Sequence, residues 1–212
     1  MFFLKNTIRT ALDFLYPGYC SGCMRKVPAG LFCSGCAGRI EPVTEVFSPH
    51  FFAAVRYRPP FVNAICDFKY RGKFFLASGL NRYLAELFRR RNFAAETVGL
   101  FPVPLYPARR RERGYNQAEL LARHLAAEFS LPVFNRCLIR ARNTASQTGL
   151  SGKARQNNVA GVFKVRDPRP VVDRTCLLID DVFTTGATLN NCRSALLSAG
   201  AAEVFGLVLA RD

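Results

Sequence analysis

The chain of 212 residues is short of several things, and each shortage narrows what it can be. No apolar run reaches the roughly 18 residues of a membrane span. The first 16 residues are interrupted by Lys5, Arg9 and Asp13, so they lack a signal peptide's sustained apolar region and its small-residue cleavage site. They read instead as an amphipathic helix with Phe2, Phe3, Ile8, Leu12 and Leu15 on one broad apolar face, docked on the protein's own body. Without an export signal the expected compartment is the cytoplasm, and disulfides are not expected there. Histidine occurs twice, at His50 beside a proline in a connecting segment and at His124 inside an apparent helix. Both read as structural, so the chemistry is sought elsewhere. Internal repeats and low-complexity tracts are absent. Acids are scarce: 15 face 30 basic residues, for a net charge of +15, and 24 of the 30 are arginine. Arginine forks phosphates and stacks on bases, so this bias suits nucleic acid or phosphorylated ligands, although a basic solvated surface has the same composition.

The few acids make one feature stand out. Asp180-Asp181 is the only adjacent acidic pair. It follows an apolar run, Cys176 to Ile179, that reads as a buried strand. Thr184, Thr185, Gly186, Ala187 and Thr188 come next as a hydroxyl-rich turn. From Thr188 the spacing of Leu189, Cys192, Leu196 and Leu197 predicts a helix closed by Gly200. Strand, loop and helix place the turn at a strand's carboxyl end, where open α/β sheets bind ligands. Helix-start amides and loop N–H groups favour a phosphate there, and Gly186 permits close approach or a positive φ. Two carboxylates suit a sugar's hydroxyls or a metal ion held with it, so the segment describes a ribose 5-phosphate site. It resembles the signature of type I phosphoribosyltransferases, which bind phosphoribosyl pyrophosphate (PRPP). A Walker A loop is excluded around Gly152-Lys153, because Gln147 stands where a glycine is needed and Ala154 where Ser or Thr must follow.

Along the rest of the chain, strands are predicted at 51–57, 98–103, 133–139, 160–165 and 204–209, and helices at 61–70, 76–91 and 116–129. Strands alternating with helices predict an α/β fold: a parallel sheet flanked by helices. Residues 141–158 form a polar stretch that suits a lid over an anionic ligand, or a solvated loop. Two units follow, residues 1–45 and residues 46–212.

The first unit holds Cys20-x₂-Cys23 and Cys33-x₂-Cys36. Two such knuckles can bring four thiolates to one tetrahedral point, with Gly22 and Gly35 easing the turns. Soft ligands and closed coordination select structural Zn²⁺. A second basic motif spans Arg109, Arg110, Arg111 and Arg113, next to Tyr115 and ahead of a helix. It reads as an anion trap with a stacking surface, in a loop opening on the same sheet edge as Asp180-Asp181; a solvated charge run is the alternative.

Lys69-Tyr70-Arg71-Gly72, Arg-x-Arg-Gly-Tyr-Asn-Gln at 111–117, Thr-x-x-Gln at 144–147, the four-cysteine knuckle and the 180–188 loop occur in an order that resembles the ComF family of competence and DNA-utilisation proteins. That resemblance implies a zinc finger joined to a phosphoribosyltransferase-type domain, and a role with single-stranded DNA in natural transformation or DNA utilisation. A competence helicase or another DNA-processing protein is an expected partner. It further implies that Asp180 and Asp181 contact ribose hydroxyls as the catalytic carboxylates. Val182 and Phe183 are then part of the PRPP segment, and Thr184 to Thr188 meet the 5-phosphate. The loop from Val103 to Pro107 meets pyrophosphate with Mg²⁺, and Lys69 joins the arginines in binding pyrophosphate or DNA. Two other functions stay open: a nucleobase-salvage phosphoribosyltransferase, and a non-catalytic DNA-binding module with a PRPP-sensing site.

Overall fold

The structure, a computed structural model, describes residues 18–28, 30–93, 98–141 and 162–212. The expected N-terminal helix, and residues 142–158 of the expected lid with the Thr-x-x-Gln motif, lie outside the described residues.

In chain order the elements are β1 (Gly18–Tyr19), β2 (Lys26–Val27), α1 (Ser34–Ala37), β3 (Phe51–Arg56), α2 (Phe61–Tyr70), α3 (Leu76–Arg91), β4 (Val98–Pro102), α4 (Pro107–Arg113), α5 (Gln117–Phe129), β5 (Leu138–Arg140), β6 (Phe163–Val165), β7 (Thr175–Phe183), α6 (Ala187–Ser198) and β8 (Glu203–Arg211). Four strands make one parallel sheet in the order β3-β8-β7-β4. In β7 the alternation of side chains feeds two cores. Leu177 and Ile179 join the layer under α2, α3 and α5. Cys176 and Leu178 join the layer under α6 and the β5–β6 pair. A strand covered on both faces must be apolar throughout, as this run is.

Local chemistry sets the helix ends. The Asn116 side chain accepts a hydrogen bond from the Ala118 N–H at 3.1 Å and starts α5, which ends where Ser130 turns to φ +56°. Gly200 takes φ +96° just past α6, as a terminating glycine should.

Four expectations need correction. The strand read as ending at Ile179 runs on to Phe183, because β8 continues beside it and pairs Asp180 with Val208 and Phe183 with Arg211. Asp180, Asp181, Val182 and Phe183 therefore belong to the strand. The arginine cluster is the short helix α4 and no loop: Pro107 sits in its first turn and Gly114, at φ +80°, stops it. The strand expected at 133–139 shrinks to Leu138–Arg140, with Val133 making only an isolated bridge to Leu100. That strand pairs antiparallel with Phe163–Val165, so the two segments form a separate ribbon outside the parallel sheet.

Candidate functional site

Parallel pairing ends β4 beside β7, four residues before β7 itself stops. Pro102 lies opposite Ile179, and the Val103 N–H donates to the Ile179 carbonyl at 2.9 Å. The segment after β4 therefore leaves the sheet next to Asp180. Asn116 fixes its direction, donating from Nδ2 to the Val103 carbonyl at 3.0 Å.

Asp181 is buried, and its partner is Lys69 from the end of α2, with Nζ 2.7 Å from Oδ1. Burial works against the Lys69 charge, but the Asp181 carboxylate outweighs it and raises the ammonium above its ordinary range. Asp180 is half-buried and accepts the Asp181 N–H at 2.9 Å. Burial, and then the charge of Asp181, pushes its carboxyl up to about 7, against the pull of that N–H, Lys69 and Arg113. Two adjacent acids thus differ in surroundings: Asp181 shares a buried ion pair with Lys69, and burial beside Asp181 raises the Asp180 carboxyl.

Beyond them Thr184 and Thr185 are exposed, and Gly186 sits at φ +74° as the residue before α6. A Cβ at Gly186 would lie 2.7 Å from Phe183 Cζ, so both backbone angle and space demand glycine. Thr185 Oγ1 accepts the Ala187 N–H at 3.4 Å. Thr188 is exposed in the first turn of α6, whose leading N–H groups have no acceptor within the helix. The arrangement offers hydroxyls and amides to an anion, and carboxylates a short way back along the strand.

The arginines of α4 are partly engaged. Arg109 lies 3.3 Å from Glu112, and Arg110 lies 3.1 Å from Glu119. Arg113 donates to Gln117 at 2.8 Å and covers the Tyr70 ring at 5.2 Å. Arg111 is exposed. Tyr115 is half-buried: its hydroxyl donates to the Phe68 carbonyl and its ring lies 5.8 Å from Phe68. Glu119, which also binds Arg123 at 2.8 Å and Asn135 at 2.9 Å, was not singled out by sequence reasoning. Nor was Asp67, whose buried carboxylate holds Arg71 at 2.7 Å and Lys73 at 2.6 Å. A lone acid in a basic stretch was the only signal for it.

The four cysteines converge: the Sγ atoms of Cys20, Cys23, Cys33 and Cys36 lie within 4.8 Å of one another. Bonds of about 2.3 Å to one tetrahedral metal ion would set sulfurs about 3.8 Å apart, and Cys23 and Cys33 are 3.8 Å apart. Cys20 Sγ accepts N–H groups of Gly22 at 3.4 Å and Cys33 at 3.3 Å. Burial opposes its ionisation, but these donors prevail and bring the thiol down to about 6. At Cys36 the Arg39 guanidinium favours the thiolate, yet burial and the three other sulfurs push it up to about 11. Four thiolates so close repel one another until a cation joins them, so the donor set fits a metal ion. The module sits on the head of α2. Asn63 Nδ2 donates to the Gly22 carbonyl at 2.9 Å, and the Phe32 and Phe61 rings are 5.9 Å apart.

No family model matches the chain. Relatives do. Competence protein F of Haemophilus influenzae is 30% identical over 92% of this chain and 90% of its own length. DNA utilization protein YhgH of Salmonella typhi is 30% identical over 92% of this chain and 91% of its own. Among solved structures, the glutamine PRPP amidotransferase of B. subtilis overlaps 62% of this chain and 25% of its own, with 20% identity and a TM-score of 0.42. At that identity to relatives matched nearly end to end, the chain belongs to the ComF family of competence and DNA-utilisation proteins.

Proposed function

We propose that this protein binds PRPP with Mg²⁺ at the carboxyl edge of its sheet and binds single-stranded DNA through adjacent cations, in DNA uptake or utilisation. The observation that carries the reading is the succession of a carboxylate pair at the end of β7, a left-handed Gly186 and the start of α6. Asp180 and Asp181 would take the ribose hydroxyls, and Thr184, Thr185 and Thr188 with the first amides of α6 the 5-phosphate. The segment from Val103 to Pro107 would face pyrophosphate. Mg²⁺ would supply charge neutralisation on the pyrophosphate oxygens. Arg109, Arg110, Arg111 and Arg113 would meet phosphates of the pyrophosphate or of a DNA backbone. The cysteine cluster would hold structural Zn²⁺ in the unit of residues 1–45, apart from the catalytic-type unit of residues 46–212. Among the described residues no helix is long and apolar enough to cross a membrane. Buried thiols at Cys137, Cys176 and Cys192 suit the reducing cytoplasm.

Calorimetry with PRPP and Mg²⁺ tests the site. The unaltered chain should bind, and Asp180→Asn should weaken binding by about tenfold or more, since hydrogen bonds to a charged group contribute roughly 1.5–3 kcal/mol. Equal affinity in the two proteins would remove Asp180 from the site. A screen for pyrophosphate release with nucleobases then separates turnover from ligand sensing.

A further inference from the structure

Four aromatic side chains among the described residues are exposed, and three of them fall within six residues of chain: Tyr70 at 70%, Phe74 at 60% and Phe75 at 65%. Single exposed aromatics are ordinary; three in one short segment are not, because each leaves a large apolar ring in water close to the next along the chain. Phe74 joins Phe75 and Tyr115 in ring contact, at 6.2 Å and 6.3 Å, and Tyr70, four residues earlier in the chain, lies under Arg113.

The turn that presents them is held firmly. Buried Asp67 grips Arg71 and Lys73 with its two carboxylate oxygens and accepts both of their backbone N–H groups on its carbonyl, at 3.2 and 3.4 Å. Gly72 reverses the chain at φ +67°, and the Phe74 N–H donates to the Gly72 carbonyl at 2.9 Å. Tyr115, bonded to Phe68, meets the Phe74 ring edge-on. Exposed aromatics on a fixed turn lose little freedom when something stacks on them. Cations accompany the rings: the Arg71 side chain is 71% exposed, Arg113 of α4 covers Tyr70, and the same helix carries Arg109 and Arg110 at 65% and 56% exposure. The acid within the turn, Asp67, is buried beneath it.

From this juxtaposition we infer that Tyr70, Phe74 and Phe75 form a base-stacking platform for single-stranded nucleic acid, its backbone tracked by Arg71 and the α4 arginines. Aromatic faces accept any base, and neighbouring cations accept phosphates, so the surface is sequence-tolerant. Tyr70 directly follows Lys69, the partner of Asp181, so the platform adjoins the end of β7. The inference rests on the nucleic-acid half of the function proposed above and assigns it to an aromatic surface that the arginine motif alone does not contain.

The chain has no tryptophan, so Phe74→Trp installs a single reporter. Its fluorescence should be quenched by an oligothymidylate and unmoved by PRPP. In anisotropy titrations, Tyr70→Ala/Phe74→Ala/Phe75→Ala should bind that oligomer about tenfold more weakly or worse, with an unchanged salt slope. An abasic oligomer of equal length should bind this variant and the parent alike. Arg109→Ala/Arg110→Ala should instead flatten the slope, by about 0.7 for each phosphate no longer neutralised. Melting curves and PRPP binding of the aromatic variant should match the parent. If the parent binds the oligomer and only the arginine variant differs, the platform is overturned and the DNA-binding reading stands. If the parent binds no single strand at low salt, both fall. If the aromatic variant changes the protein's association state and not its DNA affinity, the surface is a protein interface and the platform is overturned.

Discussion

Lys69 Nζ stands 2.7 Å from Asp181 Oδ1, and this contact joins the end of α2 to the end of β7. Both side chains are largely buried, at 17% and 10% exposure, so neither charge is tolerable alone. Lys69→Met should therefore destabilise the fold by about 3 kcal/mol, because it leaves the buried Asp181 side chain without its partner beside Asp180. Adding Asp181→Asn should recover part of the loss. Urea denaturation of the two single variants and the double variant measures the coupling; additive losses would show that the pair contributes nothing.

Asp180 makes stability depend on pH. Its carboxyl is raised to about 7 by burial first and by Asp181 second, while an unfolded aspartate titrates near 3.9. A raised acid binds its proton more tightly in the folded state. Its contribution is fullest at low pH and declines as pH rises from about 4 to about 7, by at most about 1.4 kcal/mol per unit. Asp180→Asn should thus gain on the parent as pH rises, with the advantage largest at about pH 8, shrinking on acidification and gone by about pH 4. Denaturation midpoints across that range check this, and parallel profiles would place the Asp180 titration elsewhere.

The two knuckle glycines should behave differently. A Cβ at Gly22 would fall 2.5 Å from Pro60 Cβ and 2.9 Å from Cys36 Sγ, whereas at Gly35 it would meet nothing within 4 Å. Gly22→Ala should loosen the cysteine module from α2 and lower its metal content; Gly35→Ala should not. Metal analysis should give about one zinc per chain in the parent and less in Cys23→Ser, with a lower melting temperature, since structural zinc contributes folding free energy directly. Chelation that leaves the melting curve unchanged would rule that role out.

Gly186→Ala places a side chain at φ +74° and 2.7 Å from the Phe183 ring. The conformation alone costs roughly 1–2 kcal/mol. The variant should fold with reduced stability and bind PRPP more weakly, because the turn before α6 must shift. Calorimetry beside a thermal melt separates the two effects; undiminished PRPP affinity would take the turn out of the phosphate site.

The sequence determined the features that arise within a few residues of chain. The cysteine spacing was sufficient to place four thiols together, because each knuckle is a local turn. Strand, small-residue turn and helix in direct succession marked Gly186 for close approach or a positive φ, and the structure has φ +74° there. The apolar periodicity of 61–70 and 76–91 placed two helices at their observed bounds. Tertiary structure decided what depends on segments far apart. Nothing near Asp181 announces Lys69 as its partner; the contact exists because the fold brings the last turn of α2 to the end of β7. The extension of β7 to Phe183 needed β8 alongside it, since backbone groups of a strand are satisfied by a neighbour and not by their own residues. Tyr115 looked like a free stacking surface beside a basic run. The fold half-buries it against Phe68 and leaves Tyr70, Phe74 and Phe75 in water, because Asp67, buried by packing, ties back the turn that carries them.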